Sequence, residues 1–230
     1  MTSQSQQSDP FAHLILSRKR KLYKFAHFDS YKNCFSHARG SDPVILRSQL
    51  KPWLKGKKTT LELAAGNAQF SLELARRNQD KSFIAVDIKS DRLYTSAKQA
   101  LVEGIDNIAF VRMNMHELDS VFTKSSIDEI WLTFPDPFLR KRSVRRRLTH
   151  PHFLEQYQKV LAKKGSLKFK TDNRQLFLWS LEQFVEQKWQ ITELVFDLHE
   201  SSLPACYKVM THYERRYTHQ DIPINYCQVV

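Results

Sequence analysis

The sequence predicts a Rossmann-like α/β fold, a mostly parallel sheet of seven strands with helices on both faces. Three observations lead there. From residue 59 onward, short β-rich runs alternate with stretches of helical periodicity, and that alternation builds a parallel sheet covered on both faces. The run Ile130–Phe134 is wholly apolar apart from Thr133, as a buried strand is. The length of 230 residues with 41% hydrophobic content suits one α/β domain plus a small extension.

The elements follow in order. Residues 1–10 are polar, without the apolar residues a core needs, and read as a disordered tail. Residues 11–58 read as a basic N-terminal extension packed on the main domain: Arg18–Lys24 and Lys51, Lys55, Lys57 and Lys58 supply charge, with Tyr23, Phe25, Phe28, Tyr31 and Phe35 between them. The main domain spans 59–230. Thr59–Ala64 is its first strand, and Gln69–Arg77 a helix with Phe70, Leu72, Leu74 and Ala75 apolar. Ser82–Asp87 is the second strand, Asp91–Glu103 a helix, Asn107–Arg112 the third strand and Ile127–Phe134 the fourth. His152–Lys163 carries apolar residues at 153, 154, 157, 160 and 161, a 3.6-residue period, and Gly165 is expected to terminate that helix. Ser166–Lys170 is the fifth strand and Arg174–Gln187 a helix. Ile191–Asp197 and Val209–Tyr217 are expected as the sixth and seventh strands.

Composition narrows the function classes. No apolar stretch reaches the roughly 18 residues that span a bilayer, and the N-terminus lacks a signal-peptide core. Three cysteines, Cys34, Cys206 and Cys227, show no metal-ligand spacing and read as reduced thiols of a cytoplasmic protein. The nine histidines are scattered, so no metal is expected. The net charge is +12 and is clustered, which points to nucleic acid. An anionic membrane fits less well, because no basic segment carries an apolar lipid face.

In an open α/β sheet, ligands bind beyond the C-terminal strand ends, so the acids there are the candidates. Glu62 lies in the first strand, before the tight turn Ala64-Ala65-Gly66-Asn67-Ala68. Asp87 ends the second strand, about 20 residues beyond the turn, where an acid accepts from ribose hydroxyls. Asn114 follows the third strand, within reach of an adenine edge. The turn holds one glycine, Gly66, and is not the G-x-G-x-x-G that a pyrophosphate requires. A cofactor with an adenosine, an amino-acid zwitterion and no phosphate fits better, and S-adenosylmethionine is that molecule.

After the fourth strand, Pro135-Asp136-Pro137 can neither continue a strand nor freely start a helix, so Asp136 is held on a stiff loop. Six of the eight residues from Arg140 to Arg147 are Lys or Arg. A fixed acid beside a dense basic run suggests chemistry on a polyanion.

Six segments together resemble the bacterial tRNA (guanine-N7)-methyltransferases: Glu62-Leu-Ala-Ala-Gly-Asn-Ala-Gln-Phe70, Asp87-Ile, Phe134-Pro-Asp-Pro-Phe138 with its basic run, Arg147-Leu-Thr, Phe169-Lys-Thr-Asp-Asn173 and Thr211-His-Tyr-Glu214. The resemblance covers residues 59–217. It implies a class I S-adenosylmethionine-dependent methyltransferase fold and methylation of N7 of a variable-loop guanosine in tRNA, with no obligate protein partner. It implies cofactor contacts at Glu62, Gly66, Asp87, Asn114 and Asp136, and the catalytic role at Asp136. Substrate contacts fall on Arg140, Asp172, Thr211 and Glu214, and RNA contacts on Arg142, Arg145, Arg146 and Arg147.

The departures from the family pattern are specific. Ala64 and Ala68 stand where the family has glycine, Asn114 where it has Asp, Arg140 where it has Lys and Phe138 where it has Trp. A Cβ at 64 and 68 is costly if the backbone needs positive φ, so a catalytically weak RNA-binding protein on the same fold is the second reading. A small-molecule methyltransferase is the third, disfavoured by the basic run. On spacing alone, Asp172 also suits an N-cap of the next helix, and Thr211 and Glu214 suit the surface of a strand.

Overall fold

The structure is a computed structural model that describes residues 20–217 and 222–230. The polar tail 1–10 expected from sequence, and the start of the basic extension, lie outside the described residues. The chain order is α1 (Arg20–Phe28), β1 (Cys34–Ser36), α2 (Pro43–Gln49), α3 (Lys51–Leu54), β2 (Thr59–Leu63), α4 (Gln69–Arg77), β3 (Ser82–Asp87), α5 (Ser90–Val102), β4 (Ile108–Arg112), α6 (Leu118–Val121), β5 (Ile127–Thr133), α7 (Pro151–Val160), β6 (Leu161–Thr171), α8 (Arg174–Glu186), β7 (Ile191–Val195), α9 (His212–Tyr217) and β8 (Asn225–Val229).

The strands form one sheet in the order β1-β4-β3-β2-β5-β6-β8-β7. The first six in that order run parallel, and β8 is antiparallel to both of its neighbours. Alternate side chains enter opposite layers, as the two-residue period of a strand dictates. Leu61, Leu63, Ile84, Val86, Ile130 and Leu132 pack in one apolar layer with residues of α7 and α8. Phe83, Ala85, Phe110 and Trp131 pack in the other with residues of α4 and α5. Glu62, between two buried leucines, therefore points to the α4 layer.

Among the described residues the sheet has eight strands where seven are predicted, because residues 34–36, ahead of the expected start of the main domain, form β1, paired with β4 through Cys34↔Phe110. The extension is further held by α1, whose Phe28 is buried, and by Tyr31, which stacks on Tyr94 of α5 at 5.3 Å.

Two expectations are corrected. The segment expected as a seventh strand over Val209–Tyr217 contains helix α9, and the last strand is Asn225–Val229. The cause is a reciprocal cap: Glu214 N donates to Thr211 Oγ1 at 3.0 Å and Thr211 N donates to the Glu214 carboxylate at 2.6 Å. This is the capping box of a T-x-x-E sequence. Gly165 does not end α7. Leu161 is already extended, with ψ 138°, and Gly165 lies within β6. There Ile127 pairs with Leu161 and Glu129 with Ser166, so residues 162–165 bulge opposite Asp128 alone. A Cβ on Gly165 would stand 3.0 Å from Ala162 O, which is why the bulge takes glycine.

Candidate active site

The turn after β2 reverses the chain within five residues by using the left-handed region three times: φ is 53° at Ala64, 57° at Gly66 and 55° at Ala68. The two alanines adopt the backbone that glycine favours, and Ala68 N donates to Ala65 O at 2.7 Å to close the turn. Beneath it Glu62 is 1% exposed. It accepts from Ser71 Oγ at 2.5 Å, Ser71 N at 3.2 Å and Thr133 Oγ1 at 2.6 Å. Burial raises the Glu62 carboxyl above its ordinary range, against the pull of these bonds and of Lys170. Asp87 accepts from Gly66 N at 2.9 Å and Lys89 N at 2.8 Å, so it ties the turn to β3. Burial raises its carboxyl as well. Asn114, half-buried, caps the turn Met115–Glu117 by accepting from His116 N at 3.0 Å.

The Pro-Asp-Pro loop leaves β5 through Phe134, whose N donates to Lys170 O at 2.9 Å. Phe134 and Phe138, on either side of the loop, have φ of 50° and 40°, a costly conformation for bulky side chains. What holds the loop is Arg147. It is 4% exposed, donates to Pro137 O at 3.0 Å and Phe138 O at 3.3 Å, and lies 4.4 Å from the Trp179 ring centroid. The structure therefore corrects the expectation that Arg147 faces RNA, because its guanidinium is spent on the loop's own carbonyls. Asp136 is exposed at the loop's apex. Arg140, also exposed, precedes the 3-10 turn Lys141–Arg146. The three-residue period of that turn puts Arg142 and Arg145 on one face, both exposed, while Arg146 lies over Phe138 at 4.3 Å.

The third part centres on Lys170, which is fully buried. Its Nζ donates to Val209 O at 2.8 Å and to the Glu214 carboxylate at 2.9 Å. Burial pulls the Lys170 ammonium below its ordinary range despite the nearby Glu214 and Glu62. Burial pushes the Glu214 carboxyl up, but His199, Lys170 and Thr211 N outweigh it and hold it low. Glu214 is thus a buried support beneath α9 and not a wall of the cavity. Asp172 accepts from Tyr213 Oη at 2.9 Å. It does not cap α8: Asn173 does, accepting from Leu176 N at 2.8 Å.

A cavity of about 530 Å³ opens where the three parts meet. Of the site residues expected from sequence, Glu62, Gly66, Asp136 and Thr211 line it, as does Ala64. Asp87 sits behind its rim through Gly66, and Asp172 and Glu214 are one residue contact away. Arg140, Asn114 and the basic run are not in its wall. Sequence reasoning missed Lys170, Thr133, Tyr213 and Lys24. The first and third sit inside segments it quoted, Lys-Thr-Asp-Asn and Thr-His-Tyr-Glu. Thr133 is found by its bond to Glu62, and Lys24 reaches the cavity from α1, where it donates to Thr95 Oγ1 at 3.1 Å. Among the described residues there is no His, Cys, Asp and Glu grouping suited to a metal, and no helix long and apolar enough to cross a membrane.

The donor set fits S-adenosylmethionine. Asp87 makes two hydrogen bonds, and an ionised carboxylate has about four acceptor positions, so capacity remains for ribose hydroxyls. The cavity wall carries both signs, with Lys24 and Arg92 against Glu62, Asp91 and Asp136, as an amino-acid zwitterion requires. The single-glycine turn offers no cradle for a pyrophosphate.

The mostly parallel sheet, the acid-bounded turn after β2 and the acidic loop after β5 define a class I S-adenosylmethionine-dependent methyltransferase. A family described as "Putative methyltransferase" matches residues 56–227. The chain is 33% identical to a tRNA (guanine-N(7)-)-methyltransferase of Christiangramia forsetii over 92% of its length and 97% of the relative's. It is also 33% identical to the Bacillus subtilis protein of that name over 74% of this chain and 78% of the other. The chain belongs to the tRNA (guanine-N7)-methyltransferase family. Among solved structures, the 16S rRNA methyltransferase KamB superposes with a TM-score of 0.61 at 14% identity, covering 79% of this chain and 92% of that one. A 16S rRNA (adenine(1408)-N(1))-methyltransferase from Catenulisporales acidiphilia gives 0.57 at 13% identity, covering 84% and 95%. At such identities the likeness is one of fold.

Proposed function

We propose that this chain methylates N7 of the variable-loop guanosine of tRNA, acting in the cytoplasm, with residues 59–230 carrying the chemistry and residues 11–58 as a basic extension. The observation that carries this reading is the placement of Asp136: an exposed carboxylate on a proline-locked loop, in the wall of the cavity that Glu62 and Gly66 also line, four residues before a six-cation run.

When bound, S-adenosylmethionine supplies an electrophilic methyl group on a sulfonium. The protein's part is positioning and electrostatics. Guanine N7 has a free lone pair at neutral pH, so no residue need act as a base. Methylation leaves positive charge on the purine, and Asp136 is a fixed negative charge beside it. Its oxygens also accept from guanine N1–H and the 2-amino group. Thr211 and Tyr213 also line the cavity, Tyr213 with its ring 5.3 Å from that of Phe134, and Asp172 accepts from its hydroxyl. Arg142 and Arg145, on one exposed face, give the phosphate contacts, which position RNA without reading its sequence. Along the chain, Arg140 lies between Asp136 and that face.

Methyl transfer from labelled S-adenosylmethionine to unmodified tRNA tests this, with N7-methylguanosine located by reduction and aniline cleavage. Label at the variable-loop guanosine, with kcat lowered at least tenfold in Asp136→Asn and cofactor affinity retained, is the expected result. Full turnover by Asp136→Asn removes the electrostatic role. Absence of label with tRNA still bound favours the catalytically weak RNA-binding reading that Ala64 and Ala68 motivate.

A further inference from the structure

Beside the first cavity lies a second, of about 500 Å³, over the other half of the sheet. Its placement follows from topology. Because β8 is antiparallel to β6 and β7 is antiparallel to β8, β7 runs parallel to β6. Phe196, just after β7, and Asn225, at the start of β8, therefore stand on the same sheet edge as the C-terminal ends of β2, β5 and β6, the edge on which the active cavity opens. One hydrogen bond links the two cavities: Tyr213, which lines the first, donates to Asp172, which lines the second.

We propose that this second cavity receives the base of the nucleotide adjacent to the target guanosine, so that the two nucleotides splay to either side of the Tyr213–Asp172 pair. The proposal rests on tRNA being the substrate. Three features select a base. The Arg174 guanidinium lies over the Phe196 ring, its Cζ 3.9 Å from the centroid, and Asn225 accepts from its Nη1. Asn225 is itself 2% exposed and donates to Thr171 O at 3.0 Å. The guanidinium is thus fixed as a planar surface, and bases stack on aromatic rings and on arginine planes. Phe196 and Ile222 are 43% and 42% exposed, apolar area that a base would cover. Lastly, Asp172 and Asp197 both line the cavity against Arg174, its one cation among the described residues. Two carboxylates to one guanidinium repel a phosphate, while they accept hydrogen bonds from the amino and imino groups of a base. The energetic need is clear: once the target guanosine is drawn into the active cavity, its neighbour loses a stacking partner, and a platform one residue contact away replaces it.

The test is a double-mutant cycle between protein and RNA. An abasic site is placed in turn at the nucleotide before and after the target guanosine, and tRNA affinity is measured for the full-length protein, Phe196→Ala and Arg174→Gln. With wild type, one abasic site is expected to weaken binding by about 5- to 150-fold, the value of one stacked base. Both variants should bind intact tRNA that much more weakly, and the abasic site should then cost nothing more. Cofactor affinity, measured by calorimetry, should stay as in wild type and reports that the variants are folded. The dependence of binding on salt should keep its slope, since no phosphate contact is lost. Wild-type affinity in both variants, or losses that simply add, overturns the second cavity. So does a slope shallower by about 0.7 to 0.9 in Arg174→Gln, which marks a phosphate contact. If wild-type protein neither binds nor methylates tRNA, the substrate reading itself falls, an outcome distinct from methylation with additive losses.

Discussion

Replacing Ala64 and Ala68 by glycine is expected to stabilise the protein, against the usual outcome of putting glycine into a folded chain. Both alanines have φ near 55°. A left-handed backbone costs an L-residue with a Cβ about 1–2 kcal/mol. Glycine removes that strain, but it also enlarges the entropy of the unfolded chain, which offsets about 0.4–1 kcal/mol. The net gain is about 0–1.6 kcal/mol per site, centred on about 0.8, and so about 1.6 kcal/mol for the pair. For a chain of this size, each kcal/mol moves the melting temperature by about 2–4 °C, so Ala64→Gly/Ala68→Gly should melt roughly 3–6 °C higher. Calorimetric melting without ligand reads this directly. The control is Ala75→Gly, in the interior of α4 and fully buried. There the helix propensity of glycine alone costs about 1 kcal/mol, and the melting temperature should fall. If the turn variants fall alongside Ala75→Gly, the positive φ at 64 and 68 carries no strain.

Lys170→Met leaves the Glu214 carboxylate buried without its ammonium partner and should cost about 3–5 kcal/mol in urea unfolding, much of it recovered in Lys170→Met/Glu214→Gln; equal stability of the single and double variants would count against a true ion pair. Arg142→Ala/Arg145→Ala should flatten the salt dependence of tRNA binding by about 1.4 to 1.8 in slope if both touch phosphate. Arg147→Ala should instead lower stability, because it frees the Pro137 and Phe138 carbonyls. Burial, with His150, His116 and Arg145 nearby, pushes His152 down to about 4. As pH falls below about 6.5, the unfolded chain takes up this proton while the folded one does not, so stability should drop between pH 6.5 and 4. The slope stays below about 1.4 kcal/mol per pH unit, since solvent screens a ring that is only part-buried. His152→Gln should show a shallower fall over that window, and an unchanged fall would place the lost stability on other groups.

The sequence was most readable where local rules and the fold agree. The strand runs that became β2 to β5 were visible as apolar segments because both sheet faces are covered, and the stiffness of Asp136's loop follows from two prolines. Legibility failed where one local signal outranked another. Thr211-His-Tyr-Glu214 sits in a stretch with β-branched and aromatic residues, yet it is a capping box, and two reciprocal backbone bonds decide for helix. Gly165 reads as a helix stop, but a four-residue bulge in β6 needs the missing Cβ. Arg147 belongs by composition to the basic run. Only the structure shows that the 3-10 turn ends one residue earlier, so that its side chain turns inward to the loop carbonyls. Lys170 and Tyr213 lay inside recognisable motifs, but no spacing rule tells a buried lysine from a solvated one.

Lys170 shows how the two halves of the site are made to depend on each other. Its own carbonyl takes the N–H of Phe134, the strained residue that launches Asp136's loop. Its ammonium holds Glu214, which caps the helix carrying Tyr213, and Glu62, in the floor of the cavity, adds a favourable charge. A lysine there is costly, since burial opposes its charge, and a hydrophobic residue of the same length would pack with less penalty. What the charge adds is registry: one residue fixes the acid-bearing loop through its backbone and the Thr211–Glu214 helix through its side chain. Displacing either shifts both walls of the cavity together. A variant that keeps the charge with different geometry, Lys170→Arg, should therefore reduce kcat for tRNA by at least tenfold while costing less stability than Lys170→Met. If kcat instead tracks stability across the two variants, Lys170 is only a brace of the core.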